Sequence, residues 1–396
     1  MIRGRNLRQM VESRDYGQRG TVSLLREQLE SGEIKPEEFS LRDLFENLVF
    51  DRSGDCIGRE VLNAMDPRQV DGIDFLEAGN AVDTSAFSNI TGQIVFSKMM
   101  ERYNDPGFIW PQLCETVPTQ LNGEKIPGIG RLGDVSETVG EGRPYPTVGL
   151  EEDWVTTPET QKRGHIVPVT KEAIFFDRTG LVLRNAGEVG YWLGVNKEKR
   201  VIDIATGQAN NHNWKGTAYN TYYASGDSGP WINKAVAALA DWTDINEIEL
   251  LFEGMTDPVT GEPIVLGPSR IMLVPGALAA TAWRVVSATE VQHVDNQANA
   301  ATYRTVGANP IGGFRQPYQV VTSPLVYSRT SSATTWFYGD PKKAFAYMEN
   351  WGIVTQQAGA NSEADFNQDI VVRYKASERG VAASVNPRYM CQATAS

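Results

Sequence analysis

Histidine and cysteine are scarce, with three of each in 396 residues. Cys56, Cys114 and Cys391 are odd in number, far apart and without a C-x-x-C pair, which excludes a disulfide framework and a cysteine zinc site and points to a reducing compartment. His165, His212 and His293 have neither H-E-x-x-H nor H-x-H spacing, so no histidine metal motif is present. No apolar run is long enough for a membrane-spanning helix. The basic start, MIRGRNLRQMVESR, lacks the apolar stretch that a secretory signal needs, so a soluble chain exported by no signal peptide is expected. Positive charge is also short: 37 Lys and Arg face 49 Asp and Glu, for a net charge of −12. That excludes a surface that grips nucleic acid all over, although not one that lies close to DNA. What remains is ordinary for a globular protein, 41% hydrophobic and 22% charged, with room for two or three folding units.

The organising stretch is 151–207. Residues 161–177 (QKRGHIVPVTKEAIFFD) alternate, with Ile166, Pro168 or Val169, Ile174 and Phe176 predicted on the covered face of a strand. After Thr179, a candidate N-cap, the period changes. Over 181–206, Val182, Ala186, Val189, Leu193 and Ile204 share one helical face while Arg184, Glu188 and Lys199 fall opposite, which predicts an amphipathic spine helix about 39 Å long. Gly187, Gly190 and Gly194 flank the stripe, and at about 1 kcal/mol each relative to Ala they imply another backbone packed close.

The rest of the chain is organised around that spine. In 1–83, Leu24, Leu25 and Leu29, then Leu41, Leu44, Phe45 and Leu48, predict short amphipathic helices behind a basic tail that is solvated or touches an acidic partner. A helix is expected over 84–103. Residues 116–165 are dense in Gly and Pro with a polar middle, the composition of a long two-stranded excursion. Helices are predicted over 230–242, 245–255 and 277–286, and strands over 270–274 and 318–327. Residues 335–356 are predicted as paired strands turning at 340–341 and 350–352. The stretch 369–385 is predicted as a second pair turning at 377–380.

The motifs mostly have bland readings. GIGRLGDV at 128–135 matches a glycine-rich phosphate loop, but Gly140, Gly142, Pro144 and Pro146 forbid the helix that a dinucleotide site needs next, and no kinase VAIK, HRD or DFG follows. Ser225 and Ser228 beside Asp227 lack a G-x-S-x-G elbow. Glu151, Glu152 and Asp153 are expected to form a solvated acidic face, since neighbours on a strand point apart. DPVTGEP at 257–263 is expected to be a turn. No catalytic constellation emerges, and no catalytic residue, metal or cofactor is predicted.

The order of elements, together with 167–177 leading into the spine, Tyr338-Gly339-Asp340 with Lys343-Ala344 and Trp351-Gly352, and the ending DIVVRYKASERGVAASVNPRYM, resembles the major capsid protein family of tailed bacteriophages. The likeness covers about 84–396. It implies an α+β tailed-phage major capsid protein fold: N-terminal arm (1–83), start of a peripheral domain (84–115), extended loop (116–165), peripheral domain with the spine helix (166–212), axial domain (213–356) and peripheral C-terminal strands (357–396). The implied function is self-assembly as hexamers and pentamers into an icosahedral shell around double-stranded DNA, in a virion assembled in a bacterial cytoplasm. The implied partners are further copies of the chain, a portal, and scaffold or decoration proteins. Arg131, Glu137, Glu141, Arg143, Trp154, Lys162 and Arg163 are the expected intersubunit contacts. The alternatives are an encapsulin-type compartment shell, which shares the fold, and a nucleotide-binding enzyme using Gly128, Gly130 and Gly133.

Overall fold

The computed structural model describes residues 94–130, 138–139, 141, 152–170, 181–258, 260–267, 270–295, 303–309, 311, 318–358 and 370–395. The expected arm helices, the first half of the 84–103 helix, the middle of the excursion and the end of the 161–177 strand lie outside these residues. The chain divides into two compact units. The first takes Met1–Pro106, Lys162–Asn196 and Trp351–Glu378, and the second Gly107–Gln161, Lys197–Asn350 and Arg379–Ser396.

In the first unit, helix α1 (94–103) and helix α2 (Leu181–Ala205) cross closely. A Cβ on Gly190 would lie 2.3 Å from the Met99 carbonyl oxygen, the backbone approach that the glycine face implied. Ile94, Val95, Met99, Tyr103, Ala186 and Leu193 are buried, and Arg184 and Glu188 are exposed. Strand β4 (Gln161–Thr170) lies beside β14 (Ile370–Ser384), which lies beside β13 (Phe345–Ala358). The described part of the strand expected over 161–177, Gln161–Thr170, is present with its faces exchanged: Val167 is buried while Ile166 and Pro168 are exposed. A slip of one residue reverses a strand's faces, and Gly164 fixes the register, since a Cβ there would meet the Ala376 carbonyl oxygen at 2.3 Å.

The second unit is three-layered. Its central sheet runs β11 (Tyr318–Thr322), β8 (Arg270–Val274), β12 (Trp336–Gly339), β15 (Met390–Thr394), β7 (Lys234–Val236). Alternation splits the strands: Met272, Val274, Trp336, Tyr338 and Cys391 pack with Ile245, Ile248 and Phe252 of α3 (Trp242–Glu253) and Ala282 and Val285 of α4 (Gly276–Ser287). Ile271, Leu273, Phe337 and Met390 face the other way, onto Val201, Ile202, Ile204 and Ala205 of α2 and Val326 of α5 (Pro324–Thr330). The end of α2 is therefore buried well beyond the predicted stripe. Even Lys197 is 2% exposed, its ammonium 3.9 Å from the Trp110 ring centroid, 4.1 Å from that of Tyr347, and 3.3 Å from Glu349.

Several expectations are corrected. Residues 230–242 are no helix, because Trp231, Asn233, Ala237 and Leu239 are buried at alternate positions and β7 pairs in parallel with β15. The strand expected over 318–327 ends at Thr322, where the Ser323 hydroxyl caps α5 by accepting from the Leu325 N–H at 3.2 Å. The predicted turn at 350–352 is absent: β13 runs straight through it, and Asn350 Nδ2 donates instead to the Thr119 and Leu121 carbonyls at 3.0 and 3.1 Å. Nor does β12 pair with β13. It pairs antiparallel with β8 and β15. The predicted turn at 377–380 is also continuous strand, in which a Cβ on Gly380 would meet the Tyr347 ring at 2.7 Å; that glycine marks a close approach. Finally, residues 379–396 belong to the second unit and place β15 in its central sheet.

Candidate functional site: the root of the excursion

Two short strands of the second unit form the root, β2 (Lys125–Pro127) and β3 (Trp154–Thr156), paired antiparallel as the composition predicted. The Thr157 N–H donates to the Glu124 carbonyl at 2.9 Å, and the Gly128 N–H to the Asp153 carbonyl at 3.0 Å. Below them, Asn122 Oδ1 accepts from the Thr160 N–H and hydroxyl at 2.9 and 3.0 Å. The root does not stand alone. Strand β3 also pairs with β5 (His212–Trp214), which turns through Lys215 and Gly216, both left-handed, into β6 (Thr217–Tyr219).

The expectation of a solvated acidic face at 151–153 fails at Asp153. Its carboxylate accepts the Gly130 N–H, and its Oδ1 accepts Trp214 Nε1–H at 2.5 Å. A Cβ on Gly128 would sit 2.2 Å from that carboxyl group, which explains a glycine there without a bound phosphate. A carboxylate of the chain itself fills the place against the Gly130 N–H that a phosphate loop keeps for an anion. Next to it, Ile129 is buried with Val155 and Trp231, and its carbonyl oxygen accepts from the Arg388 guanidinium. Arg388 is 1% exposed; it also donates to Asn386 Oδ1 at 3.0 Å, pairs with Asp257 at 3.4 Å and reaches the Thr256 carbonyl at 3.5 Å.

The predicted contact residues are distributed as follows. Arg131, Glu137 and Arg143 lie outside the described residues. Glu141 is exposed, and Trp154 is half-buried with Lys125 Nζ 4.5 Å from its ring centroid. Lys162 is exposed and Arg163 half-buried on β4, in the first unit, whereas the root belongs to the second. Ile129 is buried in the chain's own core. Asp153, Trp214 and Arg388 were not predicted. The signal for Arg388 was an arginine within the apolar run VNPRYMCQA, and for Asp153 a carboxylate directly before a Trp-Val-Thr strand.

A model of the phage capsid protein family matches residues 154–393, from β3 at the root through α2 to β15 and well over half of the chain. The chain belongs to the phage capsid protein family. The solved structures similar to this capsid protein include the capsid of a native GTA particle (TM-score 0.45, 10% identity, covering 84% of this chain and 97% of that one). They also include the capsid of cyanophage P-SCSP1u (0.45, 10%, 73% and 88%) and a structure of Mycobacterium phage Bobi (0.42, 12%, 73% and 91%). A search of curated protein sequences finds no match. The matching family is one of phage capsid proteins, which does not favour the encapsulin alternative.

Several other polar groups among the described residues bond within the fold. Glu249 Oε1 accepts from Tyr338 at 2.6 Å, from Tyr318 at 3.1 Å and from Arg270. Burial pushes the Glu249 carboxyl up, but the Tyr338 hydrogen bond and the Arg270 guanidinium outweigh it and hold it below its ordinary value. His212 is fully buried, with Nδ1 2.9 Å from the Ser384 carbonyl and its ring edge-on to Trp231. Burial, aided by the Arg388 charge, keeps it neutral by lowering its pKa, against the opposing pull of the Ser384 carbonyl. Cys114 and Cys391 are buried free thiols, Cys114 pushed up to about 12 by burial. An open cleft of about 230 Å³ beside Gly207 is lined by Thr206, Asn210, Asn220, Tyr222, Lys234 and Gln392. Among the described residues no group of His, Cys, Asp and Glu could hold a metal ion.

Proposed function

We propose that this chain is the major capsid protein of a tailed phage. Its copies associate as hexamers and pentamers that tile an icosahedral head around packaged double-stranded DNA, joined at one vertex by a portal and aided by scaffold or decoration proteins in the host cytoplasm. The observation that carries this is the family match over 154–393, which takes in strand β3 of the root, the spine and the central sheet. The net charge of −12 agrees with a container, because a basic lining would bind the genome through counterion release and oppose packing and ejection. One chain that closes a shell must bury several different surfaces, and an excursion enlarges the area each copy offers. We assign the intersubunit contact to Arg131, Glu137, Glu141, Arg143 and Trp154 of the excursion, with Lys162 and Arg163 on β4.

Electron microscopy and sedimentation of the purified chain test the assembly, with megadalton closed particles expected and a stable monomer at all concentrations refuting it. The excursion is tested by replacing 131–151 with an Asn-Gly turn. The cut stops short of Ile129, which is buried in the core, and of Asp153, which bonds to Gly130 and Trp214. The unassembled chain should keep its thermal transition while closed shells disappear; shells of unchanged size and stability would refute the contact assignment.

A further inference from the structure

We propose that Asp153 and Arg388 are positioning residues that aim the excursion, so that its direction is set inside the chain that bears it and not by the neighbour that receives it. This rests on the reading that the excursion makes an intersubunit contact. Three consecutive residues are tied at the point of departure: the Gly128 N–H to the Asp153 carbonyl at 3.0 Å, the Ile129 carbonyl to Arg388, and the Gly130 N–H to the Asp153 carboxylate. The single side chain of Asp153 thus joins the outgoing leg to the returning one, and through Trp214 Nε1 at 2.5 Å it joins both to β5. Arg388 fastens the outgoing leg to the C-terminal segment, and its own charge is met by Asp257, itself 3% exposed.

An isolated strand pair is only marginally stable in water, so β2 and β3 need further ties to hold one direction at the root. A tilt at the root displaces any contact made farther along the chain, and a packed interface tolerates little displacement. The Asp153 to Gly130 bond opposes such a tilt directly because it spans the two legs. The Arg388 bond opposes sliding of the outgoing leg along the core.

The test uses the full chain with Asp153→Ala, Asp153→Asn and Trp214→Phe, the last keeping the ring and removing one donor. Three quantities are read: the thermal midpoint of the unassembled chain, the rate of trypsin cleavage at Arg131 and Arg143, and the yield and diameter of shells. For Asp153→Ala we expect cleavage about tenfold faster and shell yield about tenfold lower, or shells of scattered diameter, at a midpoint close to that of the parent. Asp153→Asn, which keeps an acceptor for Trp214, should fall between Ala and the parent, and Trp214→Phe should shift the same quantities less. Arg388→Lys, which keeps the buried charge and loses the fork, should speed cleavage at Arg131 more than at Arg143. Normal shells from Asp153→Ala, where replacement of 131–151 abolishes them, overturn the aiming and leave the contact reading standing. Normal shells after that replacement overturn the contact reading, and the aiming with it. A midpoint that falls in step with shell yield reduces Asp153 to a fold-stabilising residue and also overturns the proposal.

Discussion

Gly190 on the spine helix supports a prediction whose sign is set by geometry. A Cβ there would lie 2.3 Å from the Met99 carbonyl oxygen, 2.8 Å from its Cα and 2.9 Å from its carbonyl carbon. These are backbone atoms of a neighbouring helix, so no rotamer change relieves the overlap, and α1 must retreat by about 1 Å to restore ordinary contact. Retreat is opposed by Met99, fully buried, and by Tyr103 near the end of α1, whose hydroxyl donates to Glu378 on β14 at 2.7 Å. Overpacking of this kind costs about 1–3 kcal/mol, and the helix preference of Ala over Gly returns about 1 kcal/mol, so Gly190→Ala should destabilise by about 1–2 kcal/mol. Gly187, one turn earlier, is the control. Its nearest neighbours are the Arg102 and Lys98 side chains at 3.4 and 3.5 Å, which a Cβ merely touches, so Gly187→Ala should stabilise by up to about 1 kcal/mol. Urea unfolding of the unassembled chain measures both, and amide exchange in α1 reports locally, with faster exchange expected only for Gly190→Ala. Equal effects of one sign at the two positions would show that the spine glycines do not mark a helix crossing.

Two further predictions concern buried polar groups. Because the folded pKa of His212 is lowered, the folded state prefers the neutral ring; its contribution to stability is complete above the unfolded value of 6.5 and is lost as pH falls below it. Thermal midpoints measured downward from pH 7 should therefore decline from about pH 6.5, and His212→Gln should flatten that limb; an identical limb in the variant would remove His212 as its cause. Glu249, whose folded pKa is lowered, contributes stability that is present above its ordinary 4.5 and lost as pH falls below it, a lower window separable from that of His212. Glu249→Ala should destabilise by about 1–3 kcal/mol at pH 7, since Arg270, Tyr338 and Tyr318 lose a common acceptor, and the loss should vanish at low pH; a deficit that persists unchanged there would point to packing instead.

The sequence by itself determined the elements whose signal is local. The 3.6-residue period placed the spine over 181–206, and the helix is Leu181–Ala205; an unbroken apolar run placed β8 at Arg270–Val274, and an alanine-rich run predicted α4 over 277–286, one residue inside each of its ends. The order of these elements also pointed to the capsid family to which the chain belongs. What only the tertiary structure decided were pairings between distant segments. Alternation at Trp231, Asn233, Ala237 and Leu239 was masked by intervening alanines that suit a helix equally well, and β15, more than 150 residues later, resolved it into a strand. Gly380 and Asn350 have the composition of turns, yet one admits the Tyr347 ring and the other holds the Thr119 and Leu121 carbonyls. Asp153 and Arg388 are the extreme case. Their partners stand 23, 61 and 259 residues away, and a hydrogen bond across such separations leaves no period in the sequence, because chain closure and not local propensity brings its ends together.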